Sequence, residues 1–394
     1  MTHDAAFSEG QRPPARRAFD DHRGEFMIYL AQDDEQKAVA EMTRELGLEV
    51  LDPVARDTEA GSVVPAKTWK AVVETGLTAP VGEELGGGGV PSAVTYITAV
   101  ENLAYGDAGI TLAAIWSGAP SLLISLHGTP EQQVGLLEAS KNLDVRGSVA
   151  LYEGFGRGAS ELETTIADEG ENVHIVGRKV GVPFSGQAES IIVVGVDPST
   201  RALRAVIVPR TADGVSVGAP ERSLALDAAD IASIEFDVVV PRANLLSSEG
   251  LQKSVERLRL AVASAQTGMA QRAMEYAAEY AKTRMAFGKP IASFQGISFP
   301  LAEAFFRTEQ ARLEVLDASS LMDSSDDIER ISAVVSSAVS YASENASETT
   351  RHAVQVLGGH GFIREYPVEL WYRTAAFLSA LDFDPSASSF HPVL

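Results

Sequence analysis

The chain has 394 residues, 45% of them apolar, enough to bury a large core and to form two or three domains. Its formal net charge of −22 argues against nucleic acid or an anionic membrane as a partner. There is no cysteine, so thiol chemistry and disulfides are excluded and any redox chemistry must belong to a bound cofactor.

In chain order, residues 1–23 are polar and charged and lack the apolar core of a signal peptide, and 1–30 read as a flexible leader. No apolar run approaches the length of a membrane span, and the seven scattered histidines show no metal-ligand spacing. Residues 33–60 read as an amphipathic helix, with Val39, Met42, Leu46 and Leu51 near helical spacing, and 64–76 as a second around Trp69 and Val72. The four glycines at 86–89 mark a loop; without a preceding strand or a following G-K-[ST], a turn is favoured over a phosphate cradle. Residues 92–105 and 110–126 are apolar helices, and Thr129 followed by Pro130 signals the start of another.

The pattern then changes to short β runs at 146–151, 164–167, 173–176, 191–195, 205–208 and 234–240. Beyond them lie helices over 251–283, 297–322, 326–357 and 367–380, which should pack as a four-helix bundle. The expected fold is therefore α+β: an N-terminal α-helical domain (31–144), a middle β domain (145–248) and a C-terminal four-helix bundle (249–394).

Two stretches carry chemistry. Residues 284–295 read R-M-A-F-G-K-P-I-A-S-F-Q and lie at a break between two long helices. They offer a cation and a flat apolar ring at one spot, which suits a ligand with phosphates and a heteroaromatic base. In so acidic a chain an anionic ligand needs local cations, which singles out Arg284. Alone, R-x-x-F-G is more often an ordinary helix corner. Residues 355–369 read Q-V-L-G-G-H-G-F-I-R-E-Y-P-V-E, followed by Arg373-Thr-Ala.

In this order the two stretches closely resemble the acyl-CoA dehydrogenase family, whose members read R-x-x-F-G-K-P-I-x-x-F-Q, then Q-x-x-G-G-x-G-F-x-x-E-Y-P-V-E, then R-D-A. Weaker resemblance extends over the chain from about residue 30. It implies the same α, β, α order and an oxidoreductase that uses FAD to oxidise an acyl thioester between its α and β carbons. It further implies a cytoplasmic flavoprotein of fatty acid metabolism that takes an acyl-CoA or acyl-carrier-protein thioester. The expected assembly is a homo- or hetero-oligomer, dimer or tetramer, with FAD at the interface.

By position the resemblance assigns Arg284 to the pyrophosphate and Phe287, Phe294 and Gln295 to the adenine side. Gln355, Gly358 and Gly359 become a place of close backbone approach, as glycines permit. The alternative for Gly358 and Gly359 is that they merely let two helices touch.

The flavin-ring end departs from the family pattern. Where members show L-T-E-P-G-A-G-S-D, this chain has Leu151-Tyr-Glu-Gly-Phe-Gly-Arg-Gly-Ala159. Where they show K-x-W-I-T, Gly181 stands at the Trp and Pro183 at the Thr, and neither can do the same work. The catalytic-base slot, seven residues after R-D-A, holds Asp382; a loop carboxylate in solvent is its other reading, and Asp384 shares the ambiguity. Some relatives place the base just before an arginine that matches Arg259, which the resemblance sets on the substrate side. That slot is Leu258, and Glu256 points about 200° away from it around a helix.

Three readings stay open: an active acyl thioester dehydrogenase with Asp382 as base, an eroded subunit that lends Arg284 and Gln355 to an intact partner's FAD, and a nitroalkane-oxidase-like flavoenzyme.

Overall fold

The computed structural model describes residues 32–382 except 62, 77–79, 81, 84–87, 141–146, 155–160 and 222–223. The expected leader, half of the four-glycine turn, the second half of the 151–159 loop and Asp384 lie outside the described residues.

The first helix, α1 (Asp34–Leu46), begins where Asp33 and Gln36 form a reciprocal cap that satisfies two free backbone donors. The chain stays helical to Gly61 but not as the single α-helix expected: a π turn (Gly47–Leu51) and a 3-10 turn (Asp52–Val54) precede α2 (Ala55–Gly61). The widening occurs where Gly47 abuts α4 (Ala93–Gly106), and a Cβ on Gly106 would stand 2.0 Å from the Gly47 carbonyl oxygen. Between them, α3 (Ala66–Val73) buries Trp69 and Val72. Helix α6 (Pro130–Ser140) starts as expected, with Thr129 and Gln132 capping each other.

Helix α5 (Ala108–His127) corrects one expectation. Its 20 residues, with mean hydropathy 1.5, are long and apolar enough to cross a membrane. Two thirds of that stretch is buried inside the protein, so it serves as a core helix.

The middle region is a seven-stranded sheet in the order β1-β4-β2-β3-β7-β6, with β5 pairing β4. The strands are β1 (Val149–Ala150), β2 (Thr165–Glu169), β3 (Asn172–Val182), β4 (Ser190–Val196), β5 (Leu203–Pro209), β6 (Val215–Val217) and β7 (Ala232–Pro241). Strand β7 alternates buried and exposed along its length, as expected of a half-buried strand. Two features escaped the pattern. β6 is three residues long and never fully buried, and β3 continues past Val176 through Lys179, whose charge hid the strand's buried face.

The C-terminal helices α7 (Leu251–Thr283), α8 (Gln295–Ser324), α9 (Ile328–Leu357) and α10 (Val368–Leu378) match the expected spans closely. They pack around α7, and α4 joins them so tightly that a Cβ on Gly268 would lie 2.0 Å from the Glu101 carbonyl oxygen. One apolar cluster joins the sheet to these helices through Leu122, Leu123, Leu151, Ile192, Val255 and Leu258. The candidate site lies at that junction.

Candidate active site

Five pieces of chain meet at one cavity of about 30 Å³. Helix α5 supplies Trp116 and Ala119, β1 and its exit loop Val149, Leu151 and Tyr152, and the end of β3 Gly181 and Pro183. Helix α7 supplies Leu258, and the turn after α10 supplies Leu381. The sequence set Gly181, Pro183 and the 151–159 loop against a flavin ring, and the fold gathers the described ones around this space.

Behind the cavity wall is a buried charge cluster. Arg259 is wholly buried and donates from Nε to Asp382 Oδ1 at 3.1 Å and from Nη2 to Oδ2 at 3.0 Å. It also donates from Nη1 to Glu256 Oε2 at 2.8 Å. Burial alone would lower the guanidinium's pKa, but the charges of Asp382 and Glu256 outweigh it and hold the group above its ordinary value. Glu256, equally buried, is pushed up by desolvation against the pull of Arg259. Asp382 is 8% exposed, so it is not a loop carboxylate in solvent. The Tyr152 hydroxyl donates to it, and burial together with that carboxylate drives the phenol well above its usual range.

Lys179 fixes Tyr152 from both sides. Its buried ammonium donates to the Leu151 carbonyl at 2.9 Å and to Glu153 Oε1 at 2.8 Å. Glu153 in turn accepts from the backbone of Glu163 and Thr164. Desolvation lowers the Lys179 pKa to about 8 despite Glu153. Sequence reasoning gave this pair no role, because no spacing links a loop residue to a strand residue 26 positions later.

Glu256 and Leu258 diverge around α7 as expected, Leu258 to the cavity and Glu256 to Arg259 and α9. Arg259 engages the base-slot carboxylate and is not among the residues lining the cavity. Asp382 is held there because α10 is anchored. Arg373 bonds Glu369 at 2.8 Å and Glu59 of α2 at 2.5 Å, and its guanidinium also meets the Leu224 carbonyl.

The second group of predicted residues lies elsewhere. Arg284 caps the far end of α7, exposed, with its amide bonded to the Tyr280 carbonyl. Phe287 sits at the turn of the β8–β9 hairpin (Met285–Ala286 and Lys289–Pro290), 95% exposed, with its ring edge-on to Phe294. Lys289 Nζ lies 4.5 Å from the Phe294 ring centroid, and Gln295, exposed, opens α8. Gln355 is exposed on the last turn of α9, and Gly358 closes that helix with φ +58.

A Cβ added to Gly358 or Gly359 would meet nothing within 4 Å, so neither glycine is needed for helix contact within the chain. The two motifs are nevertheless joined. Tyr280, one turn before Arg284, bonds His360 Nδ1 at 2.8 Å, and His360 stacks on Tyr366. His360 and Tyr366 belong to the second motif, but nothing in the sequence ties them to Tyr280, which precedes the first.

The structure thus links the two motifs through Tyr280 and His360, and separately joins Asp382 to Arg259, but it does not unite the two groups. Leu258 and Arg284 are 26 residues apart along α7, about 39 Å at 1.5 Å per residue.

Comparison with known proteins identifies the family. Residues 33–140 match the acyl-CoA dehydrogenase N-terminal domain profile and residues 250–382 the acyl-CoA dehydrogenase C-terminal domain profile. The chain is 31% identical to an acyl-CoA dehydrogenase of Bacillus subtilis (strain 168) over 86% of its own length and 92% of the relative's. It is 31% identical to the mitochondrial short-chain specific acyl-CoA dehydrogenase of Rattus norvegicus, covering 84% of this chain and 82% of the other. The fold superposes on butyryl-CoA dehydrogenase from Megasphaera elsdenii with a TM-score of 0.79 and 26% identity, over 92% of this chain and 97% of that one. With the domain order, the joined motifs and these relatives in agreement, the chain belongs to the acyl-CoA dehydrogenase family of FAD-dependent enzymes.

Proposed function

We propose that this chain takes part in the α,β-dehydrogenation of an acyl-CoA or acyl-carrier-protein thioester, with Asp382 as the carboxylate that removes the α proton. The observation carrying this reading is the buried Asp382 carboxylate, held by Arg259 behind a small apolar cavity. A general base must be fixed within hydrogen-bond reach of its carbon acid, and Arg259 supplies that fixing. Arg259 is accordingly a positioning residue for Asp382. An aspartate is one methylene shorter than the family's glutamate, and here the carboxylate is also engaged by the Tyr152 hydroxyl.

FAD fits the residues present in two unequal halves. The nucleotide half is well matched: Arg284 for the pyrophosphate, Phe287, Phe294 and Gln295 at the adenine, and open space before Gly358 and Gly359 for close backbone approach. The ring half is not. The cavity has room for about two waters, and Tyr152, Gly181, Pro183 and Leu381 are among its walls. A flavin ring does not fit between these side chains as they stand.

The separation along α7 favours an assembly. A dinucleotide does not span about 39 Å, so Arg284 and Gln355 would serve a flavin whose ring lies on another chain. The second reading follows, in which this chain is the subunit of a hetero-oligomer that lends its nucleotide contacts to a partner. The filled ring end favours it; a nitroalkane-oxidase-like activity has no comparable support.

The test is Asp382→Asn in the purified protein, alone and co-expressed with a homologous partner, followed by dye reduction with acyl thioester. Under the first reading turnover falls at least about 100-fold while flavin content is kept. Unchanged turnover in the co-expressed complex would replace the first reading with the second.

A further inference from the structure

We infer that Tyr152 and Leu381 close the ring end of this chain, so that an oligomer of it holds the adenosine-diphosphate half of a flavin dinucleotide at the Arg284–Gln355 junction of one copy and excludes the isoalloxazine from the ring end of the next. The inference rests on the second reading above, with the cavity as the ring end and the Arg284–Gln355 junction as the nucleotide end; with the ring shut out, Asp382 has no hydride acceptor beside it and does not act as the base in this chain.

Three observations carry it. First, the cavity of about 30 Å³ is what remains after Tyr152 and Leu381 have filled the junction of α5, β1, β3 and α7. Three fused rings exceed a space for about two waters. Second, Leu381 takes the room that a side chain on β3 would use: a Cβ on Gly181 would stand 2.8 Å from Leu381 Cδ1. Gly181 has φ +64, so its backbone also turns away from the conformation a larger residue adopts readily. Third, Tyr152 is tied in place. Its hydroxyl donates to Asp382, which Arg259 grips, and its backbone lies between the Leu151 carbonyl and the Glu153 carboxylate, both held by Lys179. Admitting a flavin ring therefore requires Tyr152 to swing out, which breaks its bond to Asp382 and releases that carboxylate. Ring exclusion and engagement of the carboxylate are one contact.

The experiment titrates the full-length chain with FAD, FMN and ADP, following affinity by calorimetry and the bound flavin by its visible spectrum. For the wild type, FAD and ADP should bind within about threefold of each other, FMN should not bind, and bound FAD should keep the spectrum of a solvated flavin. Tyr152→Ala should tighten FAD at least tenfold, leave ADP unchanged, and give the resolved band structure of a buried ring. Tyr152→Phe, which keeps the ring and loses the bond to Asp382, should gain less than Tyr152→Ala. Leu381→Ala opens the same cavity from the other wall and serves if Tyr152→Ala does not fold.

A wild-type chain that carries one flavin with a buried-ring spectrum overturns the inference. So does equal FAD affinity across the wild type, Tyr152→Ala and Leu381→Ala. Failure of ADP to bind any variant refutes the nucleotide-end reading instead, and this inference falls with it.

Discussion

Arg259 is a single buried cation between two buried carboxylates, and the stability of the region depends on it. Removing one partner of such a set leaves uncompensated charge in the interior, at a cost of about 3–5 kcal/mol. Arg259→Leu should therefore lower the urea midpoint by a corresponding amount. The triple change Arg259→Leu, Glu256→Gln, Asp382→Asn should recover at least half of the loss, since it removes the orphaned charges as well; no recovery would mean that the guanidinium's packing, not its charge, is what matters. At the other end of α7, Gly359 makes a cleaner probe. A Cβ there meets nothing within 4 Å and the backbone is not left-handed, so Gly359→Ala should leave the melting temperature within about 1 °C, consistent with a surface change of under ~0.5 kcal/mol. If the glycine serves backbone approach to a nucleotide, the same change weakens ADP binding about tenfold. Equal ADP affinity would remove Gly359 from the site.

At the scale of elements, α5 is apolar throughout, and its start holds a titratable cap. Asp107 accepts from the Ile110 amide at 2.7 Å, and burial raises its pKa from the usual carboxylate range to about 6, with Asp52 and Glu59 adding to the effect. Between the unfolded value near 4 and the folded value near 6, the native state holds more protons than the unfolded state. Stability from this group is therefore fully present below about pH 4 and is lost as pH rises through about 6. Asp107→Asn keeps a capping acceptor and removes the charge. It should stabilise the protein above pH 6 by on the order of 2–3 kcal/mol and change little near pH 4, as read by urea unfolding at the two values. A loss of stability at pH 7 would show that Asp107 is needed as a charged group. The α10 anchor acts at the same scale: Arg373 on Glu59 and Glu369 fixes where the last described turn, with Leu381 and Asp382, enters the core.

Among the described residues, several of the exposed large apolar groups fall on α8 and the turns next to it and to α9. On α8, Phe299, Phe306 and Leu313 recur every seven residues and so share one face; Phe306 is 70% exposed. Phe362, 76% exposed, lies just past α9, and Phe287 just before α8. An exposed apolar stripe along one helix face suits an interaction surface, and the proposed sharing of a dinucleotide between chains calls for one. Phe306→Glu should shift the sedimentation coefficient to that of a smaller species and weaken FAD retention together. Dissociation without any change in flavin binding would separate the interface from the cofactor.

Much of this molecule is legible in its sequence alone. The helix spans of the C-terminal half follow from 3.6-residue periodicity, and the α, β, α order from a change of period near residue 145. Arg284 and Phe287 stand out because a glycine-marked break between helices is a local event, written in neighbouring residues, whereas Gln355 is singled out by the family resemblance. What only the tertiary structure decided are contacts between residues far apart in sequence. Arg259 meets Asp382 across 123 positions, Tyr280 meets His360 across 80, and Leu381 fills the space left at Gly181. Periodicity reports which face of an element is apolar, but it does not say which distant side chain occupies the space that a missing one leaves, because close packing is a property of the assembled core.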